Sequence, residues 1–240
     1  MKIKIVVISF VLLSLSQLTS AQRSGYNLSK FDKKFYHFGF LLSINRSDFA
    51  LTNQVDVHFA DSLLGIANKP QGGFDLALLA SLDMTPNLHL RFVPGLSWQD
   101  RGLNYRFLES DDGEIKEKVY LKRTESVYLE FPLLLKVRTN RVGNFAAYGL
   151  IGGKFGLDMQ SQNDVNNATS SVKIVKLQKS DYSIVAGAGV DFFLPYFKFG
   201  IEMKTALGMP NVLIPEDHKF SSTIDQLRTR TFVLSFTFEG

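Results

Sequence analysis

The sequence predicts an all-β fold: an eight-stranded antiparallel up-and-down transmembrane β-barrel. Apolar residues recur at every second position in eight segments, which is the period of a strand with one apolar face. The connections between these segments alternate between short and long, as they do in membrane barrels. After the first residues, no stretch stays apolar for the roughly 18 residues that a membrane helix needs. The length of 240 residues fits one domain.

Residues 1–21 are predicted to be a cleaved signal peptide. Lys2 and Lys4 precede an apolar run over 5–13, and a more polar stretch ends at Ala21. A membrane anchor is the alternative, but the apolar run is short for one. Residues 22–34 are polar and basic and are expected to form a mobile periplasmic N-terminal lead-in. The outer-membrane β-barrel is predicted over residues 35–240.

The alternation is clearest in the fourth segment, where apolar side chains from Val127 to Val137 alternate with Glu130, Lys136 and Arg138. Each segment approaches the roughly 9–11 residues with which a tilted strand crosses a bilayer. The eight segments lie within 36–45, 73–83, 88–99, 127–138, 145–158, 182–192, 197–207 and 232–238.

The connections predict which end of the barrel carries the termini. Short turns are expected at 85–87, 140–144 and 195. An even number of strands places both termini on the short-turn side, which is periplasmic in such barrels. Long polar loops are expected at 45–72, 100–126, 160–181 and 209–228.

The predicted barrel has one apolar and one polar face, and the lumen of eight strands is too narrow for most of the 21 Phe residues and their aliphatic neighbours. We therefore expect the apolar face to contact lipid, although a soluble lipocalin-like carrier remains an alternative. Lumenal glycines would make room for Arg91, Lys136, Lys154 and Lys204. These cations are expected to pair with Asp75, Glu130, Asp158, Asp191 or Glu202. Interfacial aromatic girdles are expected from Tyr36, Trp98, Tyr148, Tyr182, Tyr196 and Phe197.

No catalytic, cofactor-binding or metal site is predicted, and the protein is not expected to be an enzyme. Its four histidines, His37, His58, His89 and His218, lack metal-ligand spacing. The first and third are predicted to be lumenal and the others to lie in loops. A barrel hydrolase would need a lipid-facing histidine, and none has that parity. A formal charge of +4 argues against a nucleic-acid partner, and the absence of cysteine excludes disulfides and thiolate chemistry.

Two further segments leave alternatives open. Residues 173–177 alternate within a predicted loop, and would either extend the fifth and sixth strands or offer an edge to a partner. Arg228 and Arg230 lie on the lipid-facing parity before the last strand. They would either contact lipopolysaccharide headgroups or simply snorkel to the interface.

The segments 37–45, 93–97, 128–136 and 193–198 resemble those of the eight-stranded outer-membrane barrels of Bacteroidetes, most closely the PorT family of the type IX secretion system. The resemblance implies a non-enzymatic outer-membrane protein that supports export of secreted and surface proteins, and gliding motility where present. It implies other type IX secretion components, outer-membrane lipid and lipopolysaccharide as partners, with no cofactor and no catalytic residues to carry over. The alternative is a general structural or adhesin-like barrel that binds ligands through extracellular loops.

Overall fold

The computed structural model describes residues 27–53, 63–111, 114–161, 176–215, 221 and 224–240. The predicted signal peptide lies outside these residues. A 3-10 turn at Phe31–Lys33 precedes the strands. The strands are β1 Tyr36–Asn53, β2 Leu63–Thr85, β3 Leu88–Phe92, β4 Gly95–Asp111, β5 Glu114–Arg138, β6 Phe145–Asp158, β7 Ser180–Phe193, β8 Lys198–Gly208 and β9 Ile224–Glu239.

The sheet closes on itself because β1 pairs with β2 on one side and with β9 on the other. Every strand pairing is antiparallel. The short β3 and the long β4 both lie between β2 and β5, so they form one interrupted strand. The interruption falls at Val93 and Pro94, and proline has no N–H for the ladder. The predicted eight-stranded barrel is therefore confirmed.

The apolar side chains of the barrel point outward and the charged ones point inward, as predicted. Phe38 and Leu133 are 64% and 51% exposed, whereas Lys136 and Glu202 are 1% exposed. Aromatic side chains stack on the outside of neighbouring strands, as in the pair Phe74 and Trp98, with ring centroids 4.4 Å apart. A continuous apolar exterior is unfavourable in water, and it suits hydrocarbon.

The strands extend far beyond the apolar belt at the end opposite the termini, which we call the loop end. The prediction of long loops at 45–72 and 100–126 is wrong, because β1 continues to Asn53 and β4 and β5 continue through most of the second range. On β4 the side-chain pattern inverts in this extension: Leu103, Tyr105 and Phe107 point inward and are buried, whereas β5 keeps Ile115 and Val119 outward. An apolar interior with a polar exterior is what a strand needs where water replaces lipid, and this inversion broke the pattern expected of a membrane strand.

The other end carries both termini and the short turns, and we call it the short-turn end. The predicted mobile lead-in is docked here over its described residues from Asn27 onward. The Asn27 backbone N–H donates to Asn144 Oδ1 at 2.8 Å, and its side-chain amide donates to the Phe193 carbonyl at 3.0 Å. Phe31 packs among Ala146 and Phe193, with Leu28 beside them. Buried apolar contacts thus hold a segment that its polar composition suggested would be loose.

Residues 173–175 lie outside the described residues, but the end of the alternating segment is described. Leu177 forms an antiparallel bridge with Leu213, which follows β8. At this point the chain therefore pairs with the β8–β9 connection. The predicted extension of the fifth and sixth predicted strands, which are β6 and β7 of the structure, is wrong there.

None of the helical turns within the described ranges has the length and apolar character to cross a membrane.

Candidate functional site

A network of buried charges fills the middle of the lumen. Arg91 contacts both Glu202 and Glu239, and each of these carboxylates has a lysine as a second partner. Lys204 lies 2.8 Å from Glu202, and Lys198 lies 2.7 Å from Glu239. Arg91, Lys198 and both carboxylates are buried and Lys204 is nearly so, and each charge is therefore compensated in a place where water screens it little. The lumen is therefore a packed ionic core.

The expected pairing of the lumenal cations is confirmed for all four. Besides Arg91 and Lys204, Lys136 Nζ lies 2.6 Å from Asp191 Oδ2, and Lys154 Nζ lies 2.6 Å from Glu130 Oε1. Asp75 instead accepts hydrogen bonds from Asn45 and Ser97. Sequence reasoning did not name Lys198 and Glu239 as members of this network. Both alternate with apolar residues on their strands, and this pattern was a sufficient signal that they face the lumen.

Tyr148 is the one expected girdle residue that the structure places inside the barrel. It is 4% exposed, its hydroxyl donates to Glu202 Oε1 at 2.9 Å, and Lys136 Nζ lies 3.6 Å from its ring centroid. The prediction failed because it was based on residue type. Along β6, Tyr148 is an even number of residues from Lys154, so the alternation of the strand already placed both side chains on the lumenal face. Gly189 makes room for this ring, since a Cβ there would lie 2.6 Å from Tyr148 atoms.

The lead-in closes the short-turn end of the lumen. Phe31 lies flat on the buried imidazole of His37, and His37 and His89 converge on Asp83. The carboxylate oxygens of Asp83 lie 3.3 Å from His37 Nε2 and 2.6 Å from His89 Nδ1. Both histidines are lumenal, as predicted, while His58 and His218 lie outside the described residues. No group of three acidic, histidine or cysteine side chains in the described ranges is arranged to hold a metal ion.

Asp32 fastens the lead-in to the barrel rim. Its two carboxylate oxygens accept hydrogen bonds from Arg138 at 3.0 Å and Arg141 at 2.9 Å. Partial burial alone would raise the pKa of this carboxyl, but the hydrogen bond from Arg141 and the charge of Arg138 outweigh it and hold the pKa below its ordinary value. Asp32 is therefore a charged clamp at neutral pH.

The loop end is closed by an apolar cluster. The wall contributes Phe49, Tyr105 and Phe107, while Leu177 and Leu213 enter from the connections after β6 and β8. Between this cluster and the lead-in, a cavity of about 60 Å³ lies beside Asp75, Glu130, Lys154 and Lys204. That volume admits a few water molecules, each needing roughly 10–15 Å³. A polar lumen is thus covered at both ends by apolar side chains.

The outer wall of the loop-end extension carries exposed apolar residues, although it lies beyond the apolar belt. Ile115 and Val119 on β5 are 74% and 60% exposed. We call the exposed apolar side chains of this wall the outer patch. They are Leu64, Leu108, Ile115, Val119 and Leu121, and the exposed Arg106–Glu117 ion pair lies among them. Apolar side chains that neither lipid nor the protein covers favour a contact with another molecule.

The chain is similar to known outer-membrane proteins in family and in fold. It matches the family model described as an outer membrane protein beta-barrel domain over residues 16–213. OprG from Pseudomonas aeruginosa has a similar structure, with 14% identity and a TM-score of 0.42 over 85% of this chain and 91% of that one. Ail of Yersinia pestis, in complex with a heparin analogue, has 15% identity and a TM-score of 0.39 over 86% and 100%. No curated protein matches.

The family match covers most of the chain, from before β1 to just after β8, and it ends before β9. It agrees with the direction in which the two faces of the sheet point. The protein belongs to the family of outer membrane protein beta-barrel domains.

Proposed function

We propose that the protein is a non-enzymatic, non-conducting component of the type IX secretion system, and that it supports export by contacting other components rather than by forming the pore. The observation that carries this proposal is the closure of the lumen at both ends, by Phe31 and by the cluster around Tyr105. A packed ionic core between the closures leaves no path for a polypeptide. The resemblance of four segments to the PorT family supports the choice of secretion system.

We further propose that the termini and the short turns face the periplasm and that the loop end faces outward. The chain has no cysteine, so single cysteines report orientation without interference. Asp225→Cys lies at the loop end and Val142→Cys lies in an exposed short turn. A membrane-impermeant maleimide on intact cells should label the first variant and leave the second unlabelled, and the opposite pattern would reverse the orientation.

The secretion proposal is tested by a clean deletion in a host that carries a type IX system. Export of its cargo to the cell surface should stop and should return when the wild-type chain is supplied. The purified protein in a planar bilayer should show no steady conductance. Cargo that reaches the surface in the deletion strain, or stable open channels from the wild-type chain, would refute the proposal.

The outer patch favours a second candidate function, an adhesin-like surface protein. The variant Ile115→Lys with Val119→Lys would make the patch polar at positions whose side chains are already exposed. If the protein is an adhesin, this variant loses attachment to its ligand while cargo export continues. If it serves secretion through this patch, export falls instead. Lysine at two exposed strand positions should leave folding intact, which heat-modifiable gel migration checks.

A further inference from the structure

Three arginines occupy neighbouring outward positions where the apolar belt ends on β1 and β9. Arg46 lies on β1, and Arg228 and Arg230 lie on β9. The register pairs Asp48 with Arg230 and Arg46 with Phe232. Arg46 is therefore the diagonal neighbour of Arg230, roughly 7–8 Å away between backbones. Arg228 lies two residues before Arg230 on β9, on the side of the loop end.

The surface beside these arginines is apolar and exposed. Ile44 precedes Arg46 on β1 and is 59% exposed, and Phe232 follows Arg230 on β9 and is 49% exposed. On β8, Leu207 is the register partner of Arg230 and also points outward. The arginines thus lie at the level where hydrocarbon gives way to headgroups, directly next to a surface that acyl chains can cover.

The charge of this surface is positive, and part of it is held in place. Asp48 accepts two hydrogen bonds from Arg230, at 2.8 Å from Nε and 2.6 Å from Nη2, which fixes the plane of the guanidinium. Arg228 has a hydrogen bond to the neutral Gln226. Among the described residues that contact these three guanidinium groups, Asp48 is the carboxylate. A guanidinium group can donate hydrogen bonds to two phosphate oxygens at once. A guanidinium that is already oriented loses little conformational entropy when it binds phosphate.

We propose that Arg46, Arg228 and Arg230 form a binding site for the phosphate groups of lipopolysaccharide, with its acyl chains covering Ile44, Leu207 and Phe232. A small anion from solution would contact only the exposed arginine side chains, and salt would screen its binding. A phosphorylated lipid adds apolar contact and holds its phosphates at the level of the arginines. The site rests on the proposed orientation, because the arginines meet the outer leaflet only if the loop end faces outward.

Binding is measured on the purified full chain in a neutral detergent by native mass spectrometry. The probes are diphosphorylated lipid A, the same lipid A after enzymatic dephosphorylation, and inorganic phosphate. The wild-type chain should bind the diphosphorylated form at least about tenfold more tightly than the dephosphorylated form, as expected for several charge-assisted hydrogen bonds. Inorganic phosphate should compete poorly.

The variant Arg46→Gln with Arg228→Gln should lose most of this preference while it keeps the Arg230–Asp48 pair, and adding Arg230→Gln should remove the rest. The matched control is Arg123→Gln, an exposed outward arginine on β5, across the barrel from β9. It should bind as the wild-type chain does. Equal binding of both lipid forms means that the arginines only snorkel, and efficient competition by inorganic phosphate means a free-anion site; either result overturns the proposal.

The affinity measurement in detergent does not depend on which way the barrel is inserted. Labelling of Val142→Cys on intact cells would therefore reject the orientation alone, and loss of phosphate selectivity would reject the lipid site alone. The two failures are distinguishable.

Discussion

The ring of Phe31 lies on the imidazole of His37 with ring centroids 3.6 Å apart and planes only 7° from parallel. Phe31 belongs to the lead-in and His37 to the start of β1, so this stacking joins the segment before the barrel to its interior. Lys198 Nζ lies 4.6 Å from the centroid of the same ring. The end of the lumen is therefore sealed by an aromatic side chain held between charged or ionisable neighbours.

Phe31→Ala should detach the lead-in. Phe31 is buried, and loss of a buried phenyl group costs about 3 kcal/mol. Urea unfolding in detergent should show this loss, whereas planar-bilayer recordings should still show no steady conductance, because the ionic core and the loop-end cluster remain in place. Phe35→Ala is the control, because that ring is 69% exposed and its loss should change the free energy of unfolding by less than about 1 kcal/mol. Similar effects of the two variants would contradict the assigned role.

Arg91→Met should destabilise the barrel by about 3–5 kcal/mol, because it leaves Glu202 and Glu239 buried with less compensating charge. The comparison is Arg106→Met. Arg106 is about half exposed and lies 3.8 Å from Glu117, and an exposed pair of this kind contributes about 0–1 kcal/mol. Equilibrium unfolding in detergent measures both. A small effect at Arg91 would mean that the lumen is hydrated enough to tolerate unpaired carboxylates.

Gly189→Ala should destabilise the barrel by about 1–3 kcal/mol through overpacking, since its Cβ would lie 2.6 Å from both the Ile201 carbonyl oxygen and the Tyr148 ring. Gly153→Ala is the matched control on β6, where an added Cβ meets no atom within 4 Å. Thermal melting followed by heat-modifiable migration should separate the two. If both melt alike, the Tyr148 ring has space to move and the lumen is less tightly packed than described.

The docking of the lead-in should weaken in acid. The pKa of Asp32 in the folded chain is lowered, so its contribution is complete above the unfolded value of about 4 and is lost as the pH falls through the lower folded value. A fluorophore on Ser29→Cys should report a docked segment at neutral pH and release below about pH 4. The same label in an Asp32→Asn background should lose that acid transition, and an unchanged transition would assign it to another group.

The inverted polarity of the loop-end strands shows where sequence reasoning reached its limit. Leu103, Tyr105 and Phe107 alternate with polar residues as regularly as the membrane strands do, but with the apolar side facing inward. A search for apolar residues on one parity breaks off where lipid gives way to water, and it therefore assigned these strands to loops. The same alternation, applied without regard to residue type, would have placed Tyr148 and Glu239 in the lumen.

By itself, the sequence determined which side chains face each side of the sheet, because successive residues of a strand point to opposite faces whatever the strand pairs with. That is sufficient for the number of strands, the apolar exterior and the charged interior. The tertiary structure alone decided which charges meet, that Asp75 takes amide and hydroxyl partners, and that Phe31, Leu177 and Leu213 cover the ends of the lumen. These contacts join residues far apart in the chain, and they depend on strand register and barrel closure, which no local periodicity specifies.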